Sequence, residues 1–548
     1  MLRKMIYIFT ILIFAAVSNF AQLSSYDEVL EGNINTDKTL NANKKYLLRG
    51  FVNVNEPATL TIPAGTIIYG EKSSKGTLII NRGAKINAVG TATKPIIFTS
   101  QQPVGQRAAG DWGGIILAGK ATINVPGGTA EIEGGTGTVY GGGANPNDDD
   151  NSGIMKYVRI EFPGIAFLPD NEINGLTFGG VGRGTTIDYI QVSYSGDDSF
   201  EWFGGTVNAK HLIAFKGIDD EFDTDFGFRG NLQFLFGLRD PNIADISGSN
   251  GFESDNDGSG TANTPKTQPI FSNVTMVGPL VTPSFTAFNP NFKRALHIRR
   301  SSLCSMYNSI AMAYPVGLFI QSANSANGAT AGDLQIRNSI IAGSAKASDL
   351  LTTDVQGFDV AAWFNTTGFG NKTFTTSDEV GLVDPFNLTK PDPRPKTNSP
   401  AVGAASFSNP KLPNTFFVPT TYIGAFDPSG SRWDEGWTNY DPQNVNYNAP
   451  TNIEKQQNEI PVQFELSQNY PNPFNPSTEI KFSLPKSGFV NLSVYNLLGE
   501  KVAELVNENL SAGIYNYQWN AKNLTSGVYI YRLESENISL TKKMTLLK

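Results

Sequence analysis

Acidic pairs recur at a nearly constant interval in the middle of the chain. The stretch "SGDDSFEWFGG" (195–205) is followed by "GIDDEFDTDFGFRG" (217–230), so that Asp197 and Asp198 precede Asp219 and Asp220. Carboxylates held close together repel one another, and burial raises their pKa values further. Such an arrangement needs a bound cation, nearby arginines or shared protons. The same residues could therefore bind a metal, cap turns or act as acid and base on a substrate.

The elements around these acids read as short β-strands. A spacing of 21 residues places Ile190, His211 and Leu232 in one column of alternating apolar residues. Repeats of this length without helical segments are typical of a β-solenoid, in which successive coils stack at about 4.7–4.9 Å. We therefore expect an all-β parallel β-helix over residues 22–435. The first acidic pair should then lie against the second, with Asp240 about one coil further on.

The first interpretation of the acids is a calcium site. Ca²⁺ takes six to eight oxygen ligands from carboxylates and turn carbonyls. In "ESDNDGSGT" (253–261), two aspartates and Gly258 are spaced like the start of a calcium loop, but the late glutamate of an EF-hand is missing. No organic cofactor is expected. The predicted metal ligands are Asp197, Asp198, Glu201, Asp219, Asp220, Asp223, Asp225, Asp255 and Asp257.

The second interpretation is structural. Aspartate favours turns because its side chain accepts hydrogen bonds from nearby backbone N–H groups. Arg229 and Arg239 lie close in sequence and could pair with the acids. No ligand would then be involved.

The third interpretation is catalysis on a polysaccharide. Paired carboxyl groups hydrolyse glycosidic bonds, one as acid and the other as base or nucleophile. The acidic pairs resemble the layout of polygalacturonase-like hydrolases, but those enzymes add a histidine on the next coil, and none lies near Asp240 in the sequence. Polysaccharide lyases of this architecture combine calcium carboxylates with an arginine base, a role open to Arg229 or Arg239. The catalytic candidates are Asp197, Asp198, Asp219, Asp220 and Arg229.

Two histidines and one aromatic cluster are further candidates for binding or catalysis. His211 falls in an apolar column and is expected in the core. His297, in "ALHIRR", alternates with apolar residues and is expected to face outward beside Arg299 and Arg300. The cluster of Phe200, Trp202 and Phe203 could stack on sugars if exposed, and otherwise covers the core edge.

Composition narrows the function classes. The 548 residues carry a net charge of -8, which disfavours a nucleic-acid surface. Only 17% of residues are charged, and 55 glycines fit a turn-rich β protein. Cys304 is the one cysteine, so no internal disulfide framework can form.

The amino terminus reads as a secretory signal peptide at residues 1–21. "MLRKMIYIFTILIFAAVSNFAQ" has a basic start, an apolar centre and the small residue Ala21 before Gln22. No other long apolar run follows, so no transmembrane segment is expected in the mature chain.

The carboxyl end differs from the body. A polar linker is expected at 436–462, followed at 463–548 by about seven short strands typical of a small immunoglobulin-like β-sandwich. This end resembles the type A C-terminal sorting domain of the type IX secretion system. The resemblance implies recognition by the secretion translocon and sortase, with the protein surface-attached or extracellular. The matching pieces are "YPNPFNPST" (470–478), "VYNLLGEKV" (494–502), "LSAGIYNYQW" (510–519), "SGVYIYRL" (526–533) and "TKKMTLLK" (541–548).

The body is similar to pectin-lyase-like right-handed parallel β-helix surface proteins of Bacteroidetes and their relatives. The similarity lies in "WGGIILAGKATIN", "SGDDSFEWFGGTVN", "DDEFDTDFGFRGN", "VGLVDPFNL" and "YIGAF". It implies a secreted surface protein and assigns no activity to any residue. We expect a non-enzymatic role in adhesion or glycan binding, with calcium ordering the acidic edge. The alternative is a secreted polysaccharide hydrolase or lyase that uses the same edge.

Overall fold

A computed structural model describes residues 26–168, 171–447, 453–456, 461–510, 512–535 and 538–548. The expected signal peptide lies outside these residues. The chain divides into two compact units, 1–444 and 445–548.

The first unit is built almost entirely of short strands. Its helices are α1 (Ala323–Ala331), α2 (Val360–Phe364) and the 3₁₀ turns Ala347–Asp349, Ser377–Val380 and Pro442–Asn444. Its strands are β1 (Glu28–Ile34), β2 (Lys38–Thr39), β3 (Lys45–Val54), β4 (Thr59–Pro63), β5 (Ile67–Gly70), β6 (Thr77–Ile80), β7 (Lys85–Val89), β8 (Ile96–Ser100), β9 (Gly114–Ala118), β10 (Ala130–Glu131), β11 (Val139–Tyr140), β12 (Gly153–Glu161), β13 (Ala166–Leu168), β14 (Asn171–Glu172), β15 (Leu176–Gly179), β16 (Thr186–Ser193), β17 (Phe200–Phe203), β18 (Asn208–Phe215), β19 (Phe222–Asp225), β20 (Asn231–Leu238), β21 (Phe252–Ser254), β22 (Ile270–Val277), β23 (Arg294–Ile298), β24 (Ser305–Tyr307), β25 (Ile310–Met312), β26 (Val316–Ile320), β27 (Ile336–Arg337), β28 (Ile340–Ala342), β29 (Leu351–Thr353), β30 (Lys372–Phe374), β31 (Leu382–Asp384) and β32 (Asp392–Pro395).

Most of these strands stack in three parallel ladders, which confirms a parallel β-helix, and β10–β11, β13–β14 and β31–β32 form separate antiparallel pairs. The first ladder runs β6, β9, β15, β17, β19, β21, β23, β26, β29. The second runs β4, β7, β12, β16, β18, β20, β22, β24, β27. The third runs β5, β8, β12, β16, β18, β20, β22, β25, β28, β30.

Five long strands belong to both the second and the third ladder because each bends at one residue with positive φ. These residues are Tyr157, Tyr189, His211, Phe234 and Asn273. A left-handed residue breaks the alternation of a strand, so the chain turns a corner without leaving the ladder. The 21-residue spacing is wrong because these coils are 22 and 23 residues long. Ile190 pairs with Leu212, and Leu212 pairs with Leu235, so His211 stands at the corner.

The interior of the helix is a stack of apolar residues that repeat from coil to coil. On the first ladder, Phe200 packs on Phe222 at 5.5 Å between ring centroids, and Phe222 packs on Phe252 at 5.0 Å. Burying each such ring contributes about 1.5–3 kcal/mol, and aromatic pairing adds about 0.5–1.5 kcal/mol. Since these residues face inward, the residues between them on each strand face outward.

Residues 401–444, here called the strap, run back over the coils. Gln233 accepts a hydrogen bond from the Val418 N–H (2.8 Å) and donates one to the Val418 carbonyl (2.7 Å). Gln191 holds Asn439 in the same two-bond manner. Trp437, which falls in the expected linker, is fully buried, and residues 436–444 belong to the first unit.

The second unit is a β-sandwich of two four-stranded sheets. One sheet has the order β33-β38-β35-β34 and the other β37-β36-β39-β40, around a core that includes Ile480, Leu492 and Tyr531. Among the described residues, no helix has the length and apolarity needed to cross a membrane. The strands are β33 (Ile453–Gln456), β34 (Glu465–Leu466), β35 (Ser477–Leu484), β36 (Gly488–Tyr495), β37 (Lys501–Leu510), β38 (Gly513–Asn520), β39 (Gly527–Ser535) and β40 (Ile538–Leu546).

Candidate functional site

The outward positions of the first ladder carry most of the acids singled out in the sequence. Glu201 on β17 stands opposite Asp223 on β19, which stands opposite Glu253 on β21. His297 and then Phe319 continue the same row on β23 and β26. Coil stacking therefore brings together three carboxyl groups that are 22 or more residues apart in the chain.

A second row lies in the turns that precede these strands. Asp198 accepts a hydrogen bond from the backbone N–H of Asp220 (2.8 Å), and Asp220 accepts one from the backbone N–H of Asn250. Each side chain thus caps the next coil, as the structural interpretation requires. We call Asp198, Glu201, Asp220, Asp223 and Glu253 the acid column.

The carboxyl oxygens of the acid column are close enough to share a cation. Three groups offer ligand atoms that all lie within 4.8 Å of one another. Each member supplies a hard oxygen ligand of the kind that Ca²⁺ takes. The groups are Asp197–Asp198–Asp219, Asp198–Glu201–Asp223 and Asp220–Asp223–Glu253.

Burial and mutual repulsion hold protons on these carboxyl groups in the absence of a cation. Asp198 is 8%, Glu201 6% and Asp220 4% exposed. Burial, and then the neighbouring Asp197, raises the pKa of Asp198 well above its usual value, and burial does the same for Asp223. Burial, and then repulsion from Glu253, raises the pKa of Asp220 to about 7.

The middle of the acid column lacks basic partners. Within the described parts of the chain, Asp198, Glu201, Asp220 and Asp223 form no ion pair with lysine, arginine or histidine. Over the same parts, the buried Asp223 Oδ1 and the Oδ1 of Asn250, a residue 2% exposed, accept no hydrogen bond. A buried oxygen without a donor is costly, and a cation would satisfy it.

The far end of the column is neutralised by protein groups. Arg299 pairs with both Glu253 and Asp255, and Arg300 pairs with Asp255 at 2.8 Å. His297 is 2% exposed, with Nδ1 3.1 Å from Glu253 Oε2 and Nε2 2.8 Å from Gln321 Oε1. Burial lowers the pKa of His297 to about 4, so this imidazole is neutral at pH 7.

The remaining predicted residues have other surroundings. Asp225 faces outward beside Asp223, and its carboxylate accepts its neighbour Phe226's N–H at 2.6 Å. Asp257 accepts hydrogen bonds from the N–H groups of Ser259 and Thr261 within its own loop. The expectation that Asp240 follows one coil later is wrong, because residues 239–249 lengthen that coil. Asp240 instead pairs with Lys216 at 3.4 Å.

Over the described residues, neither candidate arginine forms an ion pair with the acid column. Arg229 pairs with Asp148 at 3.1 Å. Arg239 is fully buried and pairs with Glu221 and the carbonyls of Ile218 and Asp219. Neither is placed as a free base beside Glu201 or Asp223 in this structure.

The aromatic residues are also accounted for. Phe200 and Trp202 point into the helix core with no exposed surface, and Phe203 is 6% exposed in a small apolar cluster on the outer face. His211 is not an interior core residue. It stacks between Tyr189 and Phe234 at the corner, 2.7 Å from Asp188, and is covered by Trp433 of the strap.

Sequence reasoning missed four residues of this site, which are Glu133, Asn174, Asn250 and Glu253. It singled out His297 but did not place it against the acids. Glu253 and His297 are 30 and 74 residues beyond Asp223, because coils of unequal length separate them. The signal available in the sequence was a polar residue at an outward position of each strand-length segment. Because the loops between these segments vary in length, the sequence does not show which of these residues pair on neighbouring coils.

Comparisons with known proteins agree with this architecture. The family model described as "Pectate-lyase like beta helix domain" matches residues 32–380, and "Secretion system C-terminal sorting domain" matches residues 468–546. None of the curated proteins compared with the chain matches it. Among solved structures, the enzymatically active domain of tailspike protein 2 of bacteriophage CBA120 is similar at 10% identity. That match covers 92% of this chain and 72% of the other, and its TM-score of 0.21 is too low to support an argument.

The sorting domain is an export signal of the type IX secretion system, which delivers the protein to the cell surface or the extracellular space. The match at residues 32–380 covers more than half of the chain. By fold and by this match, the chain belongs to the family of proteins with a pectate-lyase-like β-helix domain.

Proposed function

We propose that this protein binds polysaccharide at the cell surface and that calcium orders the acid column. One observation carries the proposal. The buried carboxyl groups of Asp198, Glu201 and Asp223 have oxygens within 4.8 Å of one another, and none of them has a basic partner among the described residues. Calcium would offset their repulsion and bind the unpartnered oxygens.

Burial supports a structural cation over direct catalysis. A general acid must reach the glycosidic oxygen at hydrogen-bond distance. Asp198, Glu201 and Asp220 are at most 8% exposed, which leaves little surface for a sugar. A small ion needs far less room.

A sugar-binding surface lies at the basic end of the same face. The Arg294 guanidinium packs 4.7 Å from the centroid of the Phe319 ring, and both side chains are partly exposed. Across the described residues Arg294 makes no ion pair, so its donors remain for a ligand. A partly exposed aromatic ring next to guanidinium donors is suited to contact with a sugar and its hydroxyl groups.

The test is binding of the purified chain to immobilised neutral and acidic polysaccharides, with calcium or with a chelator. We expect binding that requires calcium, that weakens about tenfold or more in Asp223→Asn, and that is unchanged in Asp149→Asn. Asp149 is a matched control because its side chain is 75% exposed and lies outside the acid column. Equal binding with calcium and with chelator would contradict the proposal.

A second candidate function is polysaccharide hydrolysis. One observation favours it. Burial raises the pKa values of Asp220 and Glu253 to about 7, which suits a general acid. One oxygen of each also lies within 4.8 Å of the other, so both carboxyl groups could reach one glycosidic bond. Release of new reducing ends or unsaturated sugars that is lost in Asp220→Asn would establish this function in place of simple binding.

A further inference from the structure

Residues 119–150, here called the flap, form an excursion between β9 and β12 that covers the first ladder. Its strands β10 and β11 pair as a small antiparallel hairpin. Ile132 and Tyr140 of the flap pack with Ile116 on β9 and with Phe203 on β17. The base of the flap is therefore fixed by apolar contacts, and its glycine-rich tip, residues 133–138, lies beyond them.

The tip brings one further carboxyl group to the acid column. Glu133 Oε1 is 3.0 Å from Asn174 Nδ2, and the same amide nitrogen donates to Glu201 Oε2. Burial, and then the neighbouring Glu133 carboxyl group, raises the pKa of Glu201 well above its usual value. The carboxyl group from the flap thus meets one from the helix, and no basic side chain of the described residues forms an ion pair with either.

Asn174 is the second observation that points to a ligand. It is 1% exposed, it lies in register with Asp198, and over the described chain its Oδ1 accepts no hydrogen bond. An asparagine amide that turns over presents an oxygen in place of its nitrogen. Asn174 can therefore offer an oxygen to an ion held between the two glutamates.

We propose that a divalent, oxygen-preferring cation such as Ca²⁺ binds between Glu133, Glu201 and Asn174 and fastens the flap tip to the β-helix. Carboxylate and amide oxygens are the ligands that such cations take. The inference rests on the proposed function, because the flap site lies next to the acid column that calcium is proposed to order. It adds a ligand from outside the ladder and makes the position of the flap depend on the ion.

The test is hydrogen exchange of the backbone amides of residues 134–138 in the full chain, with Ca²⁺ alone or with chelator. In the wild-type chain we expect Ca²⁺ to slow exchange about tenfold or more, because binding to the closed form alone stabilises it. In Glu133→Gln we expect Ca²⁺ to have no effect on these amides. Glu131→Gln is the matched control, since Glu131 is an exposed glutamate of the same hairpin.

Two results would overturn the inference: no effect of Ca²⁺ on the wild-type tip, or an equal effect in Glu133→Gln. Thermal unfolding of each variant verifies that Glu133→Gln is folded. Polysaccharide binding measured on the same samples separates this inference from the proposed function. One combination of results would reject only the flap site. In it, polysaccharide binding depends on calcium in both the wild type and Glu133→Gln, but calcium does not slow hydrogen exchange at the flap tip in either.

Discussion

Arg239 supports the turn that carries two of the acids. Its guanidinium is fully buried, pairs with the equally buried Glu221 and donates to the carbonyls of Ile218 and Asp219. The Tyr314 hydroxyl lies 3.2 Å from Glu221 and completes the network. Because the arginine holds the backbone of this turn, it positions Asp219 and Asp220 without contacting their carboxyl groups directly.

We expect Arg239→Met to destabilise the first unit by about 3–5 kcal/mol, because it leaves the buried Glu221 carboxyl group and two turn carbonyls without their donor. The double variant Arg239→Met/Glu221→Gln should recover part of that loss, since the remaining group is neutral. Denaturant unfolding measures both.

The matched control for this prediction is Arg183→Met. Arg183 is 49% exposed and pairs with Asp148 and Asp149 at the surface, where ion pairs are worth about 0–1 kcal/mol. A loss in Arg239→Met no larger than in Arg183→Met would contradict the assigned role.

At the scale of elements, the strap is attached to the helix through side-chain amides. Gln191, Gln233 and Asn308 each bind one strap residue by both its N–H and its carbonyl, as a neighbouring strand would. Those strap residues are Asn439, Val418 and Ser406 in turn. Backbone groups of the strap thereby gain partners without a continuous ladder.

We expect Gln233→Leu to destabilise the first unit by about 1–3 kcal/mol. The change removes two hydrogen bonds to Val418, and each such bond contributes about 0.5–1.5 kcal/mol. The thermal midpoint and the rate of proteolysis near Val418 report this loss.

Gln106→Leu serves as the control, because Gln106 is exposed and its side chain makes no hydrogen bond among the described residues. Faster proteolysis in both variants to the same degree would show that Gln233 does not hold the strap.

At the scale of the whole molecule, the acid column links stability to pH. In the absence of a cation, burial raises the pKa of Asp220 and Glu253 to about 7, against about 4 in an unfolded chain. The folded state then binds more protons, so this contribution to stability is complete below about pH 4 and is lost as the pH rises through 7. His297 opposes it, since its folded pKa of about 4 favours folding as the pH rises towards 6.5.

Above about pH 6.5 His297 no longer changes the stability with pH, so the acid column determines whether the free energy of unfolding rises or falls. With chelator present, we expect the free energy of unfolding to fall by about 1–3 kcal/mol between pH 6.5 and 8. Added Ca²⁺ should reverse the fall, because it binds the deprotonated carboxylates. Thermal unfolding at each pH, with chelator or Ca²⁺, measures both effects.

Asp223→Asn removes one repelling carboxyl group and should flatten the fall in chelator. A rise in stability from pH 6.5 to 8 in chelator would contradict this account of the column.

The sequence by itself determined the fold class, the sorting domain and the acids worth examining. Alternating runs such as "FEW" (200–202) predict strands because the period of two is a local property of the backbone. The pairing of Asp198 with Asp220 also followed, since the coils that carry them have nearly equal length.

Only the tertiary structure decided which residues complete the site. Successive coils from β16 to β22 are 22, 23 and 39 residues long, so no single spacing reveals the register. Glu253 and His297 enter the column across long loops, and Glu133 arrives from the flap, which is distant in sequence. Loop length is weakly constrained by free energy, so the sequence distance between stacked residues does not disclose their contact.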